Sequence, residues 1–455
     1  MGKGLTEIRS SQRKHEPNGK TDTLMQTSLR AIANKATKSK KYRFRNLYTM
    51  FNRENLEDSW RYLNRRAAPG VDRETVESYG QNLTENIGNL VERLKQKRYR
   101  AKLVMRVLIP KGGGKMRALG LPALEDKLVQ ITAARILGAI YEQDFLSSSF
   151  GYRPGVGPHD AVRELTRTLN FGRFECVVEA DIKGFFDHIN HDWLIKMLGQ
   201  RIDDRAFLRL IRKWLKAGIL EKTGEVVHPV TGTPQGGVIS PVLANIYLHY
   251  VLDLWFEKVV KRHVWGPAYL CRYADDFVCA FTDQEDAERF FRALSQRMQK
   301  FGLKLAPDKT RLFQFRRYDP TSSRFDFLSF EFRWGISQKG KWLIKRRTSR
   351  AKLRASIRSM RDWIRKNRSI RMRRLIPALN AKLRGYYNYY GVIGNYESIC
   401  SFHWQVENLL HKWLNRRSQR RSYDWPGLVQ MLKHHGLERP RIRERPVKQL
   451  RFEYC

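Results

Sequence analysis

Ala268-Tyr-Leu-Cys-Arg-Tyr-Ala-Asp-Asp-Phe-Val-Cys-Ala-Phe281 is the stretch that decides the fold. Both of its flanks are short and rich in aromatic and β-branched residues, the composition of strands. Between them stand Asp275 and Asp276, so the local prediction is a β-hairpin carrying both acids at its tip. Adjacent carboxylates repel, and a half-buried turn tolerates them only with a counter-charge, usually a divalent metal. For the dipeptide alone, a solvated turn is the plainer alternative. The surrounding chain decides between the two.

Upstream, Cys176-Val-Val-Glu-Ala-Asp-Ile182 reads as a strand. A helix is predicted from Ser240 to about Val259, with Ser240 as N-cap and Pro241 at the first helical position. After the hairpin comes a helix from about Asp283, whose Ala287, Phe290, Phe291, Leu294 and Met298 share one face, with Gly302 as its stop. A strand from Leu303 or Thr310 closes the series. Strand, helix, two strands, helix, strand is the split βαβ order of a ferredoxin-like sheet. In that topology the first strand lies beside the central hairpin, so Asp181 approaches Asp275 despite their separation along the chain. Carboxylates converging from neighbouring strands are what a two-metal site requires.

Composition narrows the partner. Lys and Arg number 87 against 45 Asp and Glu in 455 residues, a net charge of +42. Such self-repulsion is tolerable when the partner is a polyanion: nucleic acid first, an anionic membrane surface second. Aromatic residues make up 12%, too many for a disordered basic tail. Five cysteines without a C-x-x-C pair argue against a disulfide framework and a zinc site, and for a reducing compartment. No run of eighteen apolar residues and no apolar leader occur, so no membrane association is expected.

Residues 1–21 read as a disordered basic arm, and Asp22 to about Arg100 as mostly helical. Val104–Pro110 is a strand leading through Lys111-Gly-Gly-Gly-Lys115, a flexible tip, and back through Met116–Leu119. Far downstream, Leu353, Ile357, Met360 and Ile364 form one helical stripe, and Arg350, Arg354, Arg358, Arg361 and Arg365 a second about a quarter-turn away. One face packs while its neighbour can track the phosphates of a nucleic acid. The run Tyr386–Tyr390 can stack on bases or fill a helical core.

Tyr273-Ala-Asp-Asp276 resembles the catalytic box of reverse transcriptases, in the form typical of group II intron-encoded enzymes. Other boxes follow in family order between about Ile109 and Phe330. Ile109-Pro-Lys-x3-Lys-x-Arg-Ala-Leu-Gly-Leu-Pro122 resembles the fingers hairpin, which implies that Lys111 and Arg117 meet the triphosphate of an incoming nucleotide. Phe150-Gly-Tyr-Arg-Pro-Gly155 resembles the next box, with Arg153 a nucleic-acid contact. Ala180-Asp-Ile-Lys-Gly-Phe-Phe-Asp187 supplies the metal ligand Asp181, the backbone carbonyl of Ile182 and, at Phe186, a gate against the ribose 2′-hydroxyl. Thr233-Pro-Gln-Gly-Gly-Val-Ile-Ser-Pro241 implies nucleotide contacts at Gln235 and Gly236, and Gly302-Leu-x6-Thr310 adds Lys309. Phe327-Leu-Ser-Phe330 resembles the last palm strand. Leu379–Tyr390, which includes the RNA-facing Arg384, resembles the maturase-specific segment, with Tyr386 where that family usually has Trp. No cysteine-paired nuclease pattern follows, so second-strand nicking is not expected.

The resemblance implies an α+β right-hand polymerase: fingers and palm over 22–335, a thumb or maturase region over 336–415, and a basic DNA-binding segment over 416–455. It implies RNA-directed DNA synthesis, with Asp181, Asp275 and Asp276 as catalytic acids and Asp181, Ile182 and Asp275 as ligands to two Mg²⁺ ions, Mn²⁺ being the alternative. Expected partners are group II intron RNA, an RNA template with DNA primer, target DNA and deoxynucleotides, with a homodimer left open, in the bacterial cytoplasm. The rivals are a reverse transcriptase serving DNA repair or defence, an RNA-binding maturase without polymerase activity, and an RNA-templated RNA polymerase.

Overall fold

A computed structural model describes residues 21–112, 115–234, 236–319, 321–417, 419 and 422–444. Residues 1–20 of the predicted 1–21 arm, Gln235, the side chain of Lys111 and the end of the C-terminal segment lie outside the described residues, and Thr21 begins a helix. The described residues divide into two compact units: 21–161 with Cys176–Leu312, and Val162–Glu175 with 313–444. No described helix is long and apolar enough to cross a membrane.

The larger unit contains strands β1 (Val104–Gly112), β2 (Lys115–Leu121), β3 (Cys176–Asp181), β4 (Ile219–Leu220), β5 (Val226–Val227), β6 (Ala268–Tyr273) and β7 (Asp276–Phe281). It also holds the start of β8 (Arg311–Gln314), within which the chain leaves the unit. One sheet runs β6-β7-β3-β8, the order predicted from the split βαβ pattern. β7 is buried along Phe277–Phe281 and β3 along Cys176–Val178, as central strands covered on both faces must be. The helix Gln284–Lys300 packs Ala287, Phe290, Leu294 and Met298 into the core. Asp283 caps it by accepting from the Asp286 amide at 3.0 Å, and Gly302 ends it at φ +76°. A second sheet, β2-β1-β4-β5, is built on the antiparallel β1–β2 hairpin.

Three local expectations change. Asp276 is the first residue of β7 and pairs with Tyr273, so only Ala274 and Asp275 form the turn. Ser240 is the first helical residue, not the N-cap, because its hydroxyl turns back to the Pro234 carbonyl at 3.0 Å and Thr233 Oγ1 at 2.8 Å. That helix, Ser240–Leu248, runs on through two π-helical turns, His249–Asp253 and Phe256–Val260, within the span predicted as one helix to about Val259.

The smaller unit has a three-stranded antiparallel sheet of β9 (Phe325–Phe327), β10 (Phe330–Ile336) and β11 (Trp342–Thr348). Leu328 and Ser329, at φ 50° and 69°, make the two-residue turn between β9 and β10. Phe327–Phe330 is therefore a hairpin corner of this sheet, not the last palm strand. The expected boundary at 335 falls inside β10, which hydrogen-bonds continuously to β11, and the units divide at 312 instead. The expected boundary at 415 also dissolves. The helix Trp425–His434 buries Leu428 and Leu432 in the same core as Leu375, Leu379, Leu410 and Leu414. Tyr386 stacks on Phe402 with ring centroids 3.8 Å apart, and Tyr387 is fully buried. Tyr386 and Tyr387 thus fill the core.

His249, in the first π turn, is 3% exposed and packs its ring against Phe145 and Tyr250. Burial holds its pKa down to about 4, against the opposing pull of Asp253. A folded pKa below the unfolded value of about 6.5 means that the contribution is complete above pH 6.5 and is lost as pH falls through 4. Stability in urea is therefore expected to drop by up to about 3 kcal/mol from this residue between pH 7 and pH 4. His249→Phe should flatten that segment of the profile, and an unchanged slope would contradict the assignment.

Candidate active site

Strand register builds this site. Across β3–β7, Asp181 lies directly opposite Asp276, and across β6–β7 Asp276 lies opposite Tyr273. Opposed residues in an antiparallel pair carry Cβ atoms roughly 4.5–5.5 Å apart, so two carboxylates meet without either leaving its strand. Asp275 projects from the adjoining turn. Ala274 takes φ 57° there, a left-handed conformation that costs an L-residue roughly 1–2 kcal/mol. A cavity of about 400 Å³ opens at this end of the sheet, lined by Asp181, Ile182, Asp275, Phe186, Arg117 and Lys309. Residues read from four separate stretches of sequence are brought together here.

The electrostatics are those of an acid cluster short of cations. Burial raises the Asp275 pKa, the Asp181 carboxylate raises it further, and Arg117 and Lys309 oppose the shift. Asp276 is pushed up to about 8, first by burial and then by Asp181, Asp275 and Glu179. Lys309 places its ammonium 2.8 Å from Asp181 Oδ2, which raises its own pKa. Glu179 pairs with Arg311 at 2.8 Å. Among the described residues no three His, Cys, Asp or Glu side chains form a cage that would hold a cation alone. The Asp181 and Asp275 carboxylates at the cavity are hard oxygen donors of the kind that suit Mg²⁺, which keeps much of its water and takes one or two carboxylates plus substrate phosphates. The residues that could hold it are Asp181, Asp275 and, through its carbonyl, Ile182.

Other expected residues divide. Phe186 is half-buried at the cavity wall, its ring edge-on to Tyr152 at 6.4 Å. Tyr152, itself at φ 57°, was missed as a wall residue because nothing in its local sequence separates it from a core tyrosine. Gly236 adopts φ +113°, and a Cβ there would stand 2.5 Å from the Gly120 carbonyl of β2. Its freedom serves a close approach to the hairpin. Arg153 is turned inward, with Nε donating to Glu142 at 2.9 Å and Nη1 to the carbonyls of Leu146 and Ser149 at 3.0 and 2.6 Å. Those internal partners replace the nucleic-acid contact expected of it. His191 bonds the Gly232 carbonyl at 2.6 Å and His188 the Gly184 carbonyl at 2.8 Å, both structural.

In the smaller unit the helix Arg350–Asn367 separates its two stripes as expected. Met360 and Ile364 are buried, Leu353 and Ile357 partly so, while Arg350, Arg354, Arg358, Arg361 and Arg365 are exposed. Arg361 reaches Asp362 at 3.0 Å, Arg365 lies over the Trp413 ring at 5.5 Å, and the exposed Arg384 approaches Glu438 at 3.5 Å. Arg368, Lys412 and Arg416 also gather around Trp413, a concentration of like charge that calls for anions.

Two families match the chain: reverse transcriptase (RNA-dependent DNA polymerase) over residues 109–332, and the group II intron maturase-specific domain over residues 352–428. Protein YkfC of Escherichia coli is 36% identical over 238 residues, 46% of this chain and 62% of that protein. The group II intron-encoded protein LtrA of Lactococcus lactis is 40% identical over 199 residues, 42% of this chain and 32% of that protein. The match therefore spans less than two thirds of either relative. A telomerase from Candida albicans superposes with a TM-score of 0.41 at 14% identity, covering 75% of this chain and 64% of that one.

Lys309 competes with any cation for Asp181. Because Lys309 is largely exposed and solvent screens the pair, its strength is of the order of 0.2–1 kcal/mol, so Lys309→Met should tighten Mn²⁺ binding to the substrate-free protein by up to about fivefold. Titration followed by electron paramagnetic resonance checks this; weaker binding in the variant would contradict the competition.

Proposed function

We propose that this chain, a member of the group II intron-encoded reverse transcriptase and maturase family by the pair of domains it carries, extends a DNA primer along an RNA template. The observation that carries the reading is the single cavity in which Asp181 and Asp275 face Arg117, Lys309 and Phe186. Two divalent ions bound at the carboxylates, Mg²⁺ or Mn²⁺, would activate the primer 3′-hydroxyl and neutralise charge at the leaving phosphates.

The chain's own residues do the rest. Asp181 and Asp275 present their oxygens from a strand end and a turn, so the donor positions are fixed before substrate arrives. Arg117 on β2 and Lys309 supply positive charge at the cavity wall, where a triphosphate gains two charge-assisted partners. As phosphate binds, Lys309 can leave Asp181 for it, freeing the carboxylate. Phe186 sets the floor beneath the sugar. Its ring, braced by Tyr152 and Phe185, leaves room for a deoxyribose and crowds a 2′-hydroxyl.

The partners follow from charge and kinship: intron RNA as the bound polyanion, target DNA as the site of copying, and deoxynucleotides as substrate. The exposed arginine stripe on Arg350–Asn367 supports sequence-independent phosphate contacts along a duplex. Splicing assistance to the parent intron rests on the maturase-specific match.

Primer extension on an RNA template separates these readings from a pure RNA-binding protein. Asp275→Ala is expected to lower the rate by about 10²–10³-fold or more while template–primer binding persists. Equal extension by both proteins would remove the catalytic assignment. Phe186→Ala should lose about 10–200-fold of the preference for deoxynucleotides over ribonucleotides, measured as a ratio of kcat/KM values. An unchanged ratio would return Phe186 to the core.

A further inference from the structure

The turn that carries Asp275 is tied to an arginine with no exposed surface. Arg272 is 0% exposed, and its guanidinium makes five hydrogen bonds to the protein. Nε and Nη2 grip the two Asp253 oxygens at 2.7 and 2.6 Å. Nη2 also reaches Ser149 Oγ at 2.6 Å, and Nη1 reaches Asn245 Oδ1 at 3.0 Å. The fifth bond, from Nη1, goes to the carbonyl of Ala274 at 3.0 Å. Four bonds hold the guanidinium in place, and the fifth passes that fixity to the strained residue next to Asp275.

A second path converges on the same residue. Asn245 Nδ2 donates to the Gly151 carbonyl at 2.6 Å. Gly151 lies so close to the turn that a Cβ there would stand 2.3 Å from the Ala274 nitrogen. The neighbouring backbone is paired as well, Arg272 N to Ser148 O at 2.8 Å and Phe150 N to Arg272 O at 2.9 Å. Ala274 is thus pressed from outside by Gly151 and pulled from inside by Arg272.

The π turn His249–Asp253 explains how one helix supplies both Asn245 and Asp253. Eight residues apart on a regular α-helix, they would point about 80° away from each other. A π turn absorbs one extra residue, leaving them within roughly 20° on one face. Arg297 satisfies the carbonyls around the distortion, donating to Val251 at 2.9 Å and Tyr250 at 3.2 Å. Apolar side chains could fill this space with no loss of stability, since a buried ion pair is a weak net stabiliser. What only the guanidinium adds is a directed bond to the turn.

We infer that Arg272, held by Asp253 and Asn245, is the positioning residue for the catalytic turn: it sets where Asp275 stands relative to Asp181, and so governs divalent-ion affinity and rate. This rests on the polymerase reading of the site. The test compares the full chain with Asn245→Ala and Arg272→Lys. Asn245→Ala leaves the Arg272–Asp253 pair intact and so carries the test if Arg272→Lys does not fold. Three quantities are read: Mn²⁺ affinity without nucleic acid, melting temperature, and kcat and KM for single-nucleotide incorporation.

The expected result is a loss of about 10- to 100-fold in kcat with nucleotide KM within about twofold of wild type, together with severalfold weaker Mn²⁺ binding in folded protein. A lowered melting temperature with kcat per folded molecule and Mn²⁺ affinity both unchanged would overturn the inference, leaving Arg272 a structural anchor. Weaker Mn²⁺ binding in the variants of a protein that extends no primer would sink the polymerase reading while leaving the positioning role standing.

Discussion

The pairing of β3 with β7 is the constraint on which the site depends. Its register puts Asp181 opposite Asp276, and a slip of one residue would turn every side chain of one strand to the other face. Both faces of these strands are packed, so such a slip would put Val177, Val178 and Ala180 into spaces shaped for other side chains, and misfits of that kind cost typically about 1–3 kcal/mol each. Hydrophobic burial along the sheet therefore fixes the position of two acids at its end. The chemistry borrows its accuracy from the core.

What the core fixes, the acids strain. Asp275 and Asp276 are held partly out of water beside Asp181, and both carboxyls resist ionisation as a result. Lys309, paired with Asp181, opposes the rise at both. The remaining imbalance, and the left-handed turn at Ala274, are the sort of local cost that persists only where surrounding structure over-determines it. Here the surroundings are the Arg272 network, the Gly151 contact and the antiparallel neighbours on both sides of β7. An arrangement unfavourable for the empty protein is favourable for one that holds cations and phosphates.

Sequence made much of this legible, for reasons specific to each element. The hairpin showed itself by composition, and the ferredoxin-like order by the sequence of periodicities, which is why Asp181 and the hairpin acids could be placed together before any coordinates. Resemblance supplied Arg117, Phe186 and Lys309 as residues of one cavity. Arg153 looked like a phosphate ligand because charge is read from sequence and direction is not; the chain turns it toward Glu142. The resemblance pointed to a nucleotide contact at Gly236, but nothing in the sequence pointed to its close approach to Gly120. The π turn, the burial of Arg272 and the corner at Leu328–Ser329 had no local signature, since each exists only through partners far along the chain. The division near 312 was hidden for a related reason. β9–β11 have ordinary strand composition, and only their pairing assigns them to a separate sheet.

The smaller unit adds a surface rather than a site: an arginine stripe on one helix and a cluster of cations around Trp413, both on a core shared by four helices. Its charge suits an extended polyanion, while the acid cluster lies in the larger unit. Anomalous diffraction from crystals grown with Mn²⁺, template–primer and a deoxynucleotide addresses the acids most directly. The account predicts two peaks roughly 3.5–4 Å apart, both within the cavity bounded by Asp181, Asp275 and Phe186. Ordered substrate with no peak at Asp181 and Asp275 would contradict it.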